Sequence, residues 1–541
     1  MITRPRRFGK TLTPSMLEHF LASEVNGQST KGLFDALNIS QYPKTMKKQG
    51  QSPVIFFTLK EVKGKNFKEF FERMKSILTE TFKGHRYLLN TNLSEEDSLK
   101  FKKILNETAS QTDYEKSLKF LSELLYHHTG KKAYILLDEY DTPINDAHVN
   151  ECYEPCRAFL ASMFGKTFKG NNFLEKGIIT GILKVAQAAL FSDLNNLKIY
   201  TTLSHKYANS FGFTGDETND LLDRAGLPQK AHELKEMYNG YQIGDYTLYN
   251  PFSMVSFISE VLDDPKGNMQ EALKPYWINT GGTHLITHLI ENNLSDLRED
   301  LNALLQDQPI TTPINEDVIF NINLKHNVVD FWSVLLLAGY LKVVEKIFIK
   351  PGRYRYKLLF PNDEIKFTME DQLLSVAAGG QHKQKEYEEG VQAMVRGDLA
   401  TFFIFLKNFL QTVPSFRDTK GAYREQFFHG LVLGMTIAVT DTHTTTSSRT
   451  TVLGEYDIAL EPKDRHGKGW IIELKVTKKL EELKAEAEKG RAQAMKKKYA
   501  TDMKARGVKE IGYVGIAFCS NELAMAFDQD TYLSTEKLSF E

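Results

Sequence analysis

Cysteine is nearly absent from this chain: Cys152, Cys156 and Cys519 are the three in 541 residues. So sparse a set excludes a disulfide-stapled scaffold, and Cys152-x3-Cys156 has no second ligand pair to complete a zinc site. The three read as buried thiols in a reducing compartment. Long apolar runs are also missing. Phe331 to Leu341 and Leu431 to Val439 are the longest, well short of the roughly 18 residues a spanning helix needs, and no apolar stretch opens the chain. A soluble, cytoplasmic protein with no membrane partner is therefore expected. Nor does one sign of charge dominate. The net charge is −1, so a basic surface must be local, and composition argues neither for nor against a nucleic-acid partner. What remains, 41% hydrophobic and 25% charged residues, is ordinary globular composition. At about 150 residues per domain, the length suggests three or four domains.

Two stretches carry the chemistry of the first half. Gly9-Lys10-Thr11 before a helical pattern has the form of a phosphate-binding loop. There, backbone N–H groups and the helix N-terminus cradle phosphates, the lysine reaches the β/γ-phosphates and the hydroxyl ligates Mg²⁺. The usual glycine five residues earlier is replaced by Arg4. The same residues could simply start an amphipathic helix that buries Leu12, Met16 and Phe20. The second stretch, Tyr134-Ile135-Leu136-Leu137-Asp138-Glu139, reads as a buried strand delivering two acids to its C-terminal tip, where open α/β sheets bind ligands. Asp138 would hold the Mg²⁺ shell and Glu139 would polarise an attacking water.

Arg4-Pro5-Arg6-Arg7-Phe8-Gly9-Lys10-Thr11, Leu137 through Pro143, and Thr180-Gly181 followed by Asn195-Asn196 resemble the bacterial AAA-ATPase-like family. Arg4 is the usual residue in that family's loop. The resemblance implies ATP and Mg²⁺ as cofactors and places Thr180 as a polar sensor near the γ-phosphate, a position an ordinary turn threonine would also fill. Members carry a longer segment ahead of the loop than Met1-Ile2-Thr3, so a shortened first strand is expected.

Strand-like runs alternate with helical patterns up to about residue 210, which predicts a parallel sheet covered on both faces. Pro53 to Leu59, Gly177 to Gly181 and Leu197 to Thr202 read as strands. Helices with short loops come after them, then an apolar helix at Val329 to Ala338. Next is a basic hairpin around Lys350-Pro351-Gly352, carrying Lys342, Lys346, Lys350, Arg353, Arg355 and Lys357. This is a winged-helix outline; its charges suit nucleic acid or merely solvent. Trp277 to Gly282 reads as a packed turn. The expected domains are 1–210 (P-loop ATPase core), 211–375 (helical and winged-helix-like) and 384–541.

In the last of these, Tyr456-Asp457-Ile458 and Trp470-Ile471-Ile472-Glu473-Leu474-Lys475 lie in two strands joined by a polar turn. Alternation sends Glu473 and Lys475 to one face. Two carboxylates and a lysine describe a hard-metal site with a positive group beside it. The alternative is an exposed hairpin with a cross-strand ion pair. The arrangement looks like the PD-(D/E)-x-K nuclease superfamily, a restriction-endonuclease-like α/β fold, without the proline in the first element. That resemblance assigns metal-binding and catalytic roles to Asp457 and Glu473 and a catalytic role to Lys475. It adds Glu425 on the helix before the strands, and Gln493 with Tyr499 on the helix after Lys475. The basic residues from Lys478 to Lys498 are interleaved with glutamates, so a phosphate contact and a mixed solvated face both remain open.

The chain is thus expected to be α/β, with a P-loop parallel-sheet ATPase, a helical middle and a nuclease-like C-terminus. The expected function is ATP-regulated, metal-dependent cleavage of nucleic acid, DNA in the first instance, with a homo-oligomer allowed. The alternative is a nucleotide-dependent switch whose C-terminal fold binds nucleic acid or a partner without cutting.

Overall fold

The protein is seen in a computed structural model. It describes residues 1–541 except 151, 185–189, 192–193, 195, 264–268, 278–288, 291–296, 298, 317–327, 379–382, 413–430, 432–433, 450–455, 465, 478, 497, 520–521, 529–530 and 535–541. The chain forms two compact units. One joins Met1–Leu285 to Thr311–Ile365, and the other joins Ile286–Ile310 to Lys366–Glu541. Among the described residues no helix is long and apolar enough to cross a membrane.

The first unit contains a parallel sheet of β1 (Ile2–Thr3), β2 (Val54–Thr58), β3 (Ala133–Asp138) and β4 (Leu174–Gly181), in the order β1-β4-β3-β2. Its central strand β3 buries Ala133, Ile135, Leu136, Leu137 and Asp138, as a strand covered on both faces must. Register aligns the strand ends. Thr58 is opposite Asp138, Leu137 is opposite Ile179, and Ile2 is opposite Thr180. The polar residues Thr58, Asp138 and Thr180 therefore finish at one edge, the edge from which the loop after β1 departs. Phe67–Gly84 packs on β2 and Gln111–Thr129 on β3, and Tyr153–Phe168 packs on these two helices. Their boundaries reflect local chemistry. Asn66 accepts from Glu69 N, Ser110 and Asp113 form a reciprocal capping box, and Gly130 closes its helix at φ +69°, a left-handed conformation that glycine adopts without penalty.

The segment 197–202 does not form the expected strand. Its pairing is confined to a bridge between Tyr200 and Ile2. The next groups are diverted to side chains: Ser204 Oγ accepts from Thr201 N and the Arg4 guanidinium takes the Thr201 carbonyl, while Tyr200 O, bonded to Thr3 N in the bridge, is shared with Arg4. The stretch from His284 to Glu291, whose sequence has a helical pattern, lies largely outside the described residues.

Further along, Thr214 and Glu217 box the start of Gly215–Ala225. Leu222, Leu234, Tyr238, Met254 and Phe257 share a core. Val328–Ala338 is buried from Phe331 onward and, from there, apolar but for Ser333. It leads into the antiparallel hairpin of Lys342–Lys350 with Arg353–Leu359.

The second unit holds a six-stranded sheet of β5 (His443–Arg449), β6 (Tyr456–Pro462), β7 (Lys468–Val476), β8 (Glu510–Cys519), β9 (Glu522–Asp528) and β10 (Thr531–Ser534), ordered as in the chain. Only the pair β7/β8 is parallel. A parallel pair needs a long crossover, and the helices Leu483–Ala494 and Lys498–Ala505 lie within it. Ala494, Ala500 and Met503 cover Ile471 on one sheet face. Helix Gln384–Arg396 takes the indole of Trp470, whose Nε1 donates to Val395 O at 3.2 Å.

Candidate functional site

The loop from Arg4 to Thr11 is held in shape before any ligand is considered. Arg7 and Gly9 sit at φ +63° and +76°, so the chain doubles back as it enters helix α1 (Leu12–Leu21). Arg4 is fully buried. Its Nη1 donates to the carbonyls of Thr3 (2.7 Å), Tyr200 (3.3 Å) and Thr201 (3.1 Å), and its Nη2 donates to Tyr207 O (2.6 Å). The guanidinium also lies 5.4 Å from the Phe211 ring centroid. Where the usual signature has glycine for its lack of a side chain, this loop uses a side chain as a strut to the 200–207 segment. Arg4→Gly would restore the usual spacing, yet it should destabilise the protein by about 3–5 kcal/mol, because buried carbonyls lose charged donors. An unchanged denaturation midpoint would rule out the strut.

The far side of the loop is held by later residues of the same unit. Arg6 O lies 3.5 Å from Asn250 Nδ2 and 3.4 Å from Trp277 Nε1. Phe8 packs edge-on to Tyr241 at 4.9 Å. Glu364 fixes Trp277 by accepting from the backbone N–H groups of Tyr276 (2.9 Å) and Trp277 (3.1 Å), and it accepts from Ser253 Oγ. Burial pushes its carboxyl up to about 7.

Lys10 is 6% exposed, and its Nζ donates to Pro5 O at 2.8 Å. Burial brings its ammonium down to about 8, against the attraction of Glu139, Asp141 and Asp138. Thr11 Oγ1 donates to Asp138 Oδ2 at 2.7 Å, and Thr180 Oγ1 donates to Asp138 Oδ1 at 2.7 Å; Thr58 Oγ1 lies 3.4 Å from Oδ2. Loop, acid strand and the threonine of β4 thus meet on one carboxylate. A site built from a carboxylate and hydroxyls offers only hard oxygen donors, which fits Mg²⁺, and a buried lysine beside it fits phosphate.

Glu139, next in the chain, sits at φ +52°. For a glutamate this left-handed backbone costs on the order of 1–3 kcal/mol and is typical of functional positions. Its Oε2 accepts from Thr142 Oγ1 at 3.0 Å. Behind it, buried Asp141 accepts from the N–H groups of Ile182 (2.9 Å) and Leu183 (2.8 Å). Burial pushes Asp141 up to about 6 despite those bonds. A Cβ at Gly181 would stand 2.6 Å from Asp141 Oδ1, so this approach requires glycine. Away from the loop, a cavity of about 520 Å³ is lined by Lys100, Lys116, Lys119, Lys166 and Lys169 around Phe120.

In the second unit, Asp457 on β6 is directly opposite Glu473 on β7, and residues opposed in an antiparallel pair share a face. Lys475, two residues on, shares it too. Its Nζ is 3.2 Å from Glu473 Oε1, and the two side chains are only 3% and 1% exposed. The exposed-hairpin alternative is thereby excluded for Glu473 and Lys475. Helix Leu483–Ala494 lies tightly over them: a Cβ on Gly490 would touch Glu473 O and Lys475 Cγ at 3.4 Å, and Gly515 on β8 has no room for a side chain against the Ala487 and Arg491 backbone. Gln493 sits on that helix one turn past Gly490, half-buried, and Tyr499 lies on the next helix. Glu425 lies outside the described residues. The lysines of this region pair locally, Lys479 with Glu482, Lys489 with Glu486 and Lys484 with Glu488, the pattern of a solvated helix.

Comparison with known proteins assigns families to both constellations. Residues 1–191 match the AAA-ATPase-like family, described as a predicted AAA-ATPase, and residues 423–527 match the PD-(D/E)XK nuclease superfamily. The chain joins an AAA-ATPase-like domain to a PD-(D/E)XK superfamily domain. Over 250 residues it is 26% identical to an uncharacterized protein in the vnfD 5′ region of Azotobacter chroococcum mcd 1, an alignment covering 45% of this chain and 43% of that one. No solved structure matches the chain.

The AAA-ATPase-like domain also shows what its sequence conceals. Asp141 lies in an Asp-Thr-Pro turn signal that hides its role as a clamp. Thr58 ends a run of β-formers, where a threonine attracts no notice. Trp277 packs on the loop itself, while the rest of the expected packed turn, 278–282, lies outside the described residues. Cys156 is buried with its Sγ 3.9 Å from Cys152 Sγ, and burial pushes its thiol up to about 12, an inert thiol.

Proposed function

We propose that this protein binds ATP in its AAA-ATPase-like domain and uses that domain to control metal-dependent phosphodiester hydrolysis by its PD-(D/E)XK domain. The observation that carries the reading is the pairing of Asp457 with Glu473 in register, with Lys475 Nζ 3.2 Å from the Glu473 carboxylate. Asp457 and Glu473 would hold a hard cation. A bound Mg²⁺ supplies a polarised phosphate and a more acidic water. Lys475 would orient that water and stabilise charge on the phosphate, while Gln493 and Glu425 would complete the surround. The test is incubation of the full chain with plasmid DNA and Mg²⁺ or Mn²⁺, with and without ATP. Metal-dependent nicking that responds to ATP supports the reading.

In the ATPase-like domain, Thr11 and Asp138 would hold Mg²⁺, Lys10 would leave Pro5 O for the β/γ-phosphates, and Thr180 would meet the γ-phosphate. Glu139 would accept the proton of the attacking water. The desolvated Lys10 gives this a pH signature. Free Lys10 loses its proton near pH 8, whereas phosphates would hold it charged. The bound state then carries more protons than the free state, so binding weakens as pH rises. ATP affinity should be nearly flat below pH 8 and fall about tenfold per pH unit above it. Equal dissociation constants at pH 7 and pH 9.5 would refute a direct Lys10 contact.

The same burial of Glu473 and Lys475 supports a second reading, a nucleotide switch whose nuclease-like fold binds nucleic acid or a partner without cutting. Binding without cleavage under every divalent metal is its signature.

A further inference from the structure

We propose that the hairpin formed by Lys342–Lys350 and Arg353–Leu359 is a stacking platform for single-stranded nucleic acid. Register sets Phe348 opposite Tyr354 and Lys346 opposite Tyr356, so these residues share a face. Phe348 is 61% exposed and Tyr354 37%. Their rings stand 5.8 Å apart, nearly perpendicular, and Lys346 Nζ is 4.1 Å from the Tyr354 ring centroid. Lys350 and Arg353 pair at the turn, and Arg355, opposite Ile347, lies on the other face of the hairpin; all three are exposed.

Charge and shape together identify the occupant. Between Lys342 and Leu359 the hairpin carries six cations and one acid, Glu345, and that acid is already paired with Lys357 at 2.6 Å. The complement of such a surface is a polyanion. Exposed aromatic rings on it call for flat apolar faces in that polyanion, because solvent gains nothing from them. Single-stranded nucleic acid offers phosphates and open base faces at once, whereas a duplex keeps its base faces inside the stack. The partner class rests on the nucleic-acid reading above, but the platform itself needs no cleavage.

The experiment is fluorescence anisotropy of a labelled 20-nucleotide oligothymidylate with the full chain in EDTA, beside a duplex of equal length. The wild-type protein should prefer the single strand. Phe348→Ala and Tyr354→Ala should each weaken binding about tenfold or more, the usual loss of one stacked base. Tyr354→Phe should keep wild-type affinity. Lys350→Gln with Arg353→Gln should flatten the salt dependence by about 0.7 in logarithmic slope per cation removed. These side chains are exposed, so thermal melts should match wild type.

The proposal fails if wild type does not bind the oligonucleotide, if the two ring variants bind as wild type does, or if the duplex binds equally with the same ring dependence. It also fails if the two ring variants alter only self-association, which would make this a protein-binding face. Because EDTA prevents metal-dependent cutting, an inactive nuclease domain leaves the result unchanged, while ring-dependent binding without cleavage overturns only the catalytic reading.

Discussion

Lys10→Ala should raise the dissociation constant for ATP by about a hundredfold or more, out of the measurable range, without lowering the melting temperature. The two readouts separate because of where the ammonium sits. It is desolvated in the folded protein, with its pKa below the ordinary value of 10.5. A depressed lysine pKa means that the folded state resists the charge, and the stability it forgoes returns only as pH rises past about 8. At pH 7 the charged Lys10 is therefore a burden on folding, offset in part by its bond to Pro5 O. Removing it costs one charge-assisted contact to each phosphate it would meet, about 1.5–3 kcal/mol apiece. A lysine kept only for structure would behave in the opposite way, losing stability and sparing affinity. Glu139→Gln should complete the pattern by binding ATP normally and turning it over about 10²–10⁴ times more slowly. Isothermal titration and a phosphate-release assay on the same preparations read both. Unchanged affinity in Lys10→Ala would remove the loop from the nucleotide site.

How legible each residue is in the sequence depends on the distance over which it acts. The acids at the tip of β3 can be read locally, since an apolar run ending in Asp138-Glu139 has few structural explanations. Alternation alone places Glu473 and Lys475 on one face. Arg4 is opaque for the opposite reason. Its meaning lies in the carbonyls of Tyr200, Thr201 and Tyr207, and no local pattern reports a partner about 200 residues away. The expected strand at 197–202 stops at its bridge to Ile2, where the Thr201 carbonyl turns to Arg4 and the Thr201 N–H to Ser204 Oγ, contacts that no local propensity reports. Asp141 and Thr58 wear the residue types of ordinary turns and strands, so chemistry alone cannot single them out. Register can, by bringing Thr58, Asp138 and Thr180 to one edge.

Nucleic-acid cleavage should vanish in Asp457→Ala, and in the double exchange Glu473→Gln with Lys475→Met, while oligonucleotide binding survives in both. The double exchange is the sharper test because of burial. Glu473→Ala alone would leave the Lys475 ammonium, 3% exposed, without the carboxylate 3.2 Å away. Breaking a buried pair from one side costs about 3–5 kcal/mol, so loss of activity could then reflect unfolding. Replacing both members with neutral groups of similar size is often neutral or stabilising. That variant should melt at or above the wild-type temperature, yet it would lack both a metal ligand and the charge beside it. In the proposed reading phosphate contacts would come from cations elsewhere, which would leave affinity in place. A folded double variant that still cuts at the wild-type rate, with contaminating nuclease excluded, would move the active site off β7. A wild-type protein that binds nucleic acid but cuts none under Mg²⁺ or Mn²⁺, with or without ATP, would assign the Glu473–Lys475 pair to the non-cutting switch.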